Sequence, residues 1–204
     1  MLAYLFWHRP EPGIDRDEYE RAQERFHRSL AQRPPDGFRA SLGLRVSELS
    51  WLAGEDPGYE DWYVVDDWTA VGVLRQAAVG QGHHQAHQRA AAHSRQGAGA
   101  VYRLLDGQLR TLAGRTAVWV QPGRGQDTDD MAAMLLDGAS AGTLWQRELV
   151  LGPAPEYCLL AEEPPAGAAA GRLPTHCIRT RWRAKRCGTQ TSSEACSAAV
   201  LACP

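Results

Sequence analysis

The 204-residue chain is almost without lysine: of its 22 basic residues only Lys185 is one, and the rest are arginine. With so much Ala and Gly beside it, this reads as the coding bias of a GC-rich genome and carries no functional meaning. Neither sign of charge is in excess. A net charge of −2 gives no electrostatic case for a nucleic-acid partner, because phosphate binding needs a concentrated basic surface. Apolar runs are short. None approaches the ~18 residues of a membrane span, so no membrane association is expected. The start, MLAYLFWHRP, has no basic residue ahead of its apolar run and no small-residue cleavage site after it. A secretory signal is therefore not expected, and the cytoplasm is the default. Cysteine is missing from the first 157 residues. Cys177, Cys187, Cys196 and Cys203 are separated by nine, eight and six residues, with no close C-x-x-C pair for a zinc ribbon. Disulfides would need an oxidising compartment. Walker, G-x-S-x-G and H-E-x-x-H motifs are also absent. The GRGQD at 123–127 and the GAG at 97–99 are turn glycines, too short to cradle phosphate.

What is present is a globular composition, 44% hydrophobic with seven Trp, organised around Tyr59 to Val79. Glu60 to Val65 has the aromatic and β-branched content of a half-buried strand. Asp66 or Asp67 supplies an oxygen for the free N–H groups of a following helix. Trp68, Val71, Leu74 and Ala78 then recur at helical spacing, as one stripe that lies back on a sheet.

Upstream, Leu2 to Trp7 reads as a short strand buried on both faces, closed by Pro10-Glu11-Pro12-Gly13. Asp15 and Glu18 form a capping box, and Tyr19, Ala22, Phe26 and Leu30 make the apolar stripe of a first helix. Phe38, Ala40, Leu42, Leu44 and Val46 alternate with Arg39, Ser41, Gly43 and Arg45, a period of two that turns the polar set to water or into a wet pocket. Gly80 to Gly99 is polar and holds four of the seven His. Ala100 to Leu105 reads as a fourth strand. The order is therefore β-α-β-β-α-β, the ferredoxin-like split plan. Ala117 to Val120, a helix over Asp127 to Leu136, and strands over Thr143 to Leu151 and Tyr157 to Ala161 repeat β-α-β-β. The expected class is α+β with tandem ferredoxin-like units, antiparallel sheets packed on each other and helices on the outer faces. The domain reading is a first repeat at 1–112, a shorter second repeat at 113–161, and a Pro/Ala/Gly linker with a basic, Cys-containing tail at 162–204, read as disordered or divergent.

That doubled order, together with YEDWYVVDDWTAVGVL, GAGAVYRLLDG and LWQRELVLGPAPEYCLL, resembles the dimeric α/β-barrel group of ferredoxin-like proteins. The group includes EthD-like proteins and small cofactor-independent monooxygenases, and the segments are similar to uncharacterised bacterial members. The resemblance covers roughly residues 1–161 as topology. It implies a ligand cleft between the sheet and its helices, while fold analogy alone transfers no chemistry.

On this plan His8 ends the first strand and His27 lies on the first helix, so either is placed to act as a general acid or base. Arg39 is placed to polarise a substrate oxygen through its fork of donors. Trp7, Arg45, Glu60, Tyr63 and Tyr102 are candidates for lining the substrate site. Each has a plainer reading: strand-end histidines in water, cross-strand ion pairs, and aromatic core filling. His83 and His87, four apart, face one way on a helix and would suit a metal or haem, but no nearby Asp, Glu or Cys supplies a third ligand. No metal and no cofactor are assigned. The sequence thus points to a protein that binds a small hydrophobic molecule, with monooxygenase or isomerase chemistry, as a monomeric tandem barrel or a homodimer. The alternatives are a non-catalytic dimerisation scaffold and a haem or metal protein using the His83 and His87 cluster.

Overall fold

The structure is a computed structural model. It describes residues 1–46, 49, 51–52, 58–80, 82–109, 116–122, 128–137, 142–150, 154–162 and 175–185. The described elements are β1 (Leu2–Pro10), α1 (Arg16–Gln32), β2 (Phe38–Val46), β3 (Gly58–Val65), α2 (Trp68–Val79), α3 (His84–Ala92), β4 (Ser94–Gly107), β5 (Thr116–Val120), α4 (Thr128–Leu136), β6 (Gly142–Val150), β7 (Tyr157–Ala161) and β8 (Thr175–Lys185). The chain is α+β, and all eight strands join one closed antiparallel barrel in the order β1-β3-β2-β8-β5-β7-β6-β4. Closure leaves no row of unpaired backbone groups along a sheet edge. Among the described residues no helix is long and apolar enough to cross a membrane.

Period-two alternation gives each strand of the first half two buried faces. Ala3, Leu5 and Trp7 of β1 and Trp62 and Val64 of β3 join the cluster that fills the barrel. Leu2 of β1 and Tyr63 and Val65 of β3 join a second cluster with Phe26 and Leu30 of α1 and Leu74 of α2. Every residue of β3 is buried, as a wall between two cores must be. A third cluster packs Met131 and Leu135 of α4 on Val118, Leu144 and Leu159.

Local signals explain most element ends. Asp15 caps α1 by accepting from the Glu18 N–H at 2.9 Å, and Tyr19, Ala22, Phe26 and Leu30 are buried as their spacing predicts. Asp67, rather than Asp66, caps α2 by accepting from the Ala70 N–H. Val71, Leu74 and Ala78 of the expected stripe pack on the cluster shared with α1. Ala70, Leu74 and Ala77 face the sheet, and Trp68 is left 49% exposed. The polar segment after Gly82 folds as α3, which packs on α1 through the buried Ala90.

Within the stretch read as linker and tail, one segment is described. Thr175–Lys185 is a strand, pairing with β2 on one side and β5 on the other. The ring closes through that strand and through the pairing of β4 with β6. Residues 163–174 and 186–204 lie outside the described residues.

The turn before β2 meets α2 closely. Gly37 has φ +75°, and a Cβ there would sit 2.4 Å from the Ala70 Cβ. Gly37→Ala is expected to cost about 2 kcal/mol, from left-handed backbone strain plus overpacking. Asp67→Ala should cost about 1 kcal/mol through the lost cap. Urea denaturation of both variants measures the two terms.

Candidate functional site

The helix-facing side of β1 and β3 carries the densest polar cluster in the described structure. Asp61 follows Glu60 on β3 and shares a face with Tyr59 and Tyr63. From β1, His8 Nε2 donates to Asp61 Oδ2 at 3.0 Å. From α1, His27 Nε2 lies 3.2 Å from Asp61 Oδ1. The Tyr63 hydroxyl donates to Asp61 Oδ2 at 3.2 Å and lies 3.4 Å from His27 Nε2. One carboxylate therefore bridges two imidazoles, and all three side chains are no more than 2% exposed.

The network runs on from the far side of His8. Its Nδ1 is hydrogen-bonded to the Tyr19 hydroxyl. Tyr19 lies 3.4 Å from the Ser94 hydroxyl, which also accepts from Gln23 Nε2 at 3.0 Å and donates to the Ala90 carbonyl at 2.8 Å. Ser94 is half-buried, so the chain of polar groups leads from the buried imidazole toward solvent. Tyr19, Gln23 and His27 recur every four residues and so share one face of α1.

Aromatic rings fix the two imidazoles. Tyr59 and Phe6 stack on His8 at 5.8 and 5.3 Å, and Tyr63 stacks on His27 at 4.9 Å. Phe6 and Tyr4 are half-buried and lie over backbone without side chains. A Cβ on Gly97 would come within 2.3 Å of the Phe6 ring, and one on Gly99 within 2.9 Å of the Tyr4 hydroxyl. The two glycines of the GAG segment thus make room for the rings beside His8.

Burial alone would raise the Asp61 pKa, but the facing His8 and His27 charges and their hydrogen bonds overturn it and hold the carboxyl well below the usual range. Burial and the Asp61 charge push the Tyr63 phenol up, and burial does the same to Tyr19, so both stay neutral donors. His8 is held between the two, with Nε2 turned to the Asp61 carboxylate and Nδ1 to the Tyr19 hydroxyl. That is the arrangement by which a carboxylate orients an imidazole base.

A second polar group lies on the other side of the same wall. Glu60 points into the barrel and is fully buried. Trp62 Nε1 donates to its Oε2 at 3.3 Å. Trp7 and Trp119 turn their indole N–H groups toward it without completing a hydrogen bond, and Oε1 has no hydrogen-bond partner. Burial raises the Glu60 pKa to about 7, against the pull of the three indoles. Tyr102 and Cys158 also face it, and burial keeps both protonated.

The candidates read from the sequence therefore separate. His8, His27 and Tyr63 come together. Trp7, Glu60 and Tyr102 belong to the barrel interior. Arg45 is half-buried near Tyr59. Arg39 does not join the histidines: it is exposed at the opposite end of β3, where Nε and Nη2 donate to Asp66 at 2.5 and 2.8 Å. His8 sits across from Tyr59 and Arg39 beside Val65, about 20 Å apart by the rise of a strand. His83 donates from Nε2 to the Arg33 carbonyl at 3.1 Å and meets the Ser29 hydroxyl through Nδ1, while His87 packs edge-on against Phe26. The first ties the end of α1 to the start of α3, and neither ring is placed as half of a ligand pair. Among the described residues no group of three His, Cys, Asp or Glu side chains is arranged to hold a metal. Asp61, Tyr19, Gln23 and Ser94 are the site residues that sequence reasoning missed.

No protein-family model matches the chain, and neither does any curated protein. Solved structures do. A candidate monooxygenase from Lactobacillus acidophilus NCFM superposes with TM-score 0.55 at 9% identity, over 91% of this chain and 96% of its own. A candidate monooxygenase from Fusobacterium nucleatum gives 0.56 at 8% identity, over 95% and 98%. An anthrone oxidase-like protein gives 0.54 at 10% identity, over 95% and 96%. At such identities the likeness is one of fold.

The two carboxylates predict opposite pH responses. The Asp61 pKa is depressed in the fold, so its stabilisation is present above its unfolded value of about 4 and is lost as pH falls toward the folded value. Asp61→Asn should cost about 3–5 kcal/mol at neutral pH, because it leaves two buried imidazoles without their anion. The Glu60 pKa is raised, so the fold favours its protonated form, and stability falls as pH rises from about 4.5 to 7. Glu60→Gln should match the wild type below pH ~4.5 and exceed it by about 3 kcal/mol above pH ~7. Urea titrations from pH 2 to 9 test both signs.

Proposed function

We propose that the chain is a small-molecule monooxygenase of the cofactor-independent kind, with His8 as general base and Asp61 as the group that orients it. The carrying observation is the Asp61 carboxylate bridging His8 and His27 in the layer between sheet and helix. The names of the structural neighbours favour the same class. In this reading each half of the chain is a ferredoxin-like unit. The strand orders β4-β1-β3-β2 and β8-β5-β7-β6 within the ring support that description.

The substrate is a largely hydrophobic aromatic ketone or phenol with an acidified C–H or O–H bond, as an anthrone has. His8 takes that proton, and the resulting electron-rich anion reduces dioxygen directly. Conversion of a CH2 flanked by two arenes to a ketone consumes one O2 and releases one water, which balances without an added reductant. Tyr19 and Ser94 return the proton from His8 toward solvent, and His27 with Tyr63 keeps the Asp61 charge in place. Phe6, half-buried and stacked on His8, is the ring that must turn aside for substrate to reach the Nδ1 side of His8, where Tyr19 stands.

A second reading, a non-catalytic scaffold, is favoured by the close packing of indoles in the barrel, with ring centroids 5.1–6.3 Å apart. Incubation with anthrones and polycyclic phenols under labelled dioxygen separates the two. The enzyme reading expects one labelled oxygen in the product and a rate about 100-fold lower in His8→Gln, the usual contribution of a general base. No label in any product, from a protein whose folding is intact by circular dichroism, would leave the scaffold.

A further inference from the structure

The proposed oxygenase chemistry makes no use of the barrel interior, yet that interior holds an arrangement that packing alone does not explain. A buried carboxylate among apolar rings is costly, and a Leu or Phe at position 60 would fill the same space without it. Glu60 also has a specific neighbour: the N–H of Trp62 points at its Oε2 from 3.3 Å. Trp62 in turn belongs to a continuous set of rings. Its centroid is 6.3 Å from that of Trp119, which is 5.1 Å from that of Trp51. Trp7 bridges the last two at 5.6 Å each, and Trp145 extends the set 5.5 Å beyond Trp62. At these spacings neighbouring indoles are in van der Waals contact. Trp62 and Trp119 are no more than 1% exposed, whereas Trp51 is only half-buried.

We propose that the barrel interior is a proton-coupled one-electron relay, in which Trp51 and Trp119 pass an oxidising equivalent inward to Trp62 and Glu60 accepts the Trp62 indole proton. Indole is the most easily oxidised side chain in such a core, and oxidation turns its N–H from a very weak acid into one strong enough to protonate a carboxylate. The balance is simple. A one-electron oxidant of the oxygen-radical or inorganic-radical class gains one electron from Trp51. Electrons then move from Trp119 to Trp51 and from Trp62 to Trp119. Trp62 loses its N–H proton to Glu60, leaving a neutral indolyl radical and a carboxylic acid. A thiol or ascorbate later returns the electron, and Glu60 returns the proton. The relay draws a radical hole into a water-free core and holds it there in neutral form. It stands on the barrel geometry and does not depend on His8.

Pulse radiolysis with the azide radical tests this at pH 8, where Glu60 is ionised. The exposed Trp68 is removed first, so Trp68→Phe is the parent protein. Transient absorption distinguishes the indole radical cation from the neutral indolyl radical, and peptide mass spectrometry locates the oxidised residues after sustained exposure. The parent should convert rapidly to the neutral radical, with oxidation products at Trp62. Adding Glu60→Gln, a change expected to stabilise the fold at this pH, should prolong the radical cation several-fold. Adding Trp119→Phe should remove oxidation at Trp62 while keeping it at Trp51. Equal radical-cation lifetimes in the parent and the Glu60→Gln protein would overturn the proposal, as would undiminished Trp62 oxidation in the Trp119→Phe protein.

Discussion

The alternation of β3 between two buried faces governs both polar centres. Glu60 and Asp61 are neighbours in sequence, so their Cα atoms are about 3.8 Å apart, and strand geometry sends their side chains to opposite sides of one wall. Pairing with β1 completes each side. Trp7 stands across from Glu60 and His8 across from Tyr59, so β1 offers an indole to the interior carboxylate and an imidazole to the exterior one. A register slip of one residue would exchange the two faces of β3, bringing Asp61 among the tryptophans and Glu60 against α1. The closed ring, which ties β1 to both β3 and β4, holds that register from two sides.

Equal burial with opposite chemistry shows what the neighbours contribute. Both carboxyls are fully removed from water, and for both that removal is the largest influence and acts to raise the pKa. Asp61 ends well below its ordinary value because two imidazoles face it with charge and with hydrogen bonds. Glu60 ends near 7 because indoles offer N–H dipoles and no charge. A dipole stabilises a buried anion less than a facing cation does, which is why three indoles do less for Glu60 than two imidazoles do for Asp61. The first environment suits a carboxylate that must remain an anion and orient a base. The second suits one that exchanges a proton near neutral pH.

Much of this was legible in the sequence, and the gaps have physical causes. The strand alternation over Phe38–Val46, the Asp15 cap and the buried stripe of α1 follow from local patterns, and the structure has them. On α2 the stripe Val71, Leu74 and Ala78 packs on the cluster shared with α1, and only Trp68, in the first turn, is left exposed. His8 and His27 were visible as candidates, but Asp61 was not. A carboxylate within a run of aromatic and β-branched residues reads as an isolated exception until β1 and α1 supply its two partners from 53 and 34 residues away. The line Tyr19, Gln23, His27 was a readable signal, three polar-tipped residues on one helical face beside the apolar stripe. Strand β8 also left a trace in the alternation of Ile178, Thr180, Trp182 and Ala184 with Arg179, Arg181, Arg183 and Lys185. The basic residues dominated the reading of that segment, which hid its period of two.

The division of labour across one strand has a mechanical consequence. His8, Asp61 and Tyr59 on the outside and Trp7, Glu60 and Trp62 on the inside are carried by the same few hydrogen-bonded residue pairs of β1 and β3. Neither face can shift along the strand without moving the other, because a closed barrel has no free edge along which a strand can slide. The helix layer is different. Tyr19, Gln23 and His27 reach the site from α1, whose contacts with the sheet are side-chain packing rather than a backbone ladder. Small movements of α1 can therefore open or tighten the polar network around Asp61 while β3 stays fixed. In the proposed oxygenase reading, adjustment for a substrate belongs on the helix side of the wall, and the tryptophan-filled barrel supplies the fixed surface against which that adjustment is made.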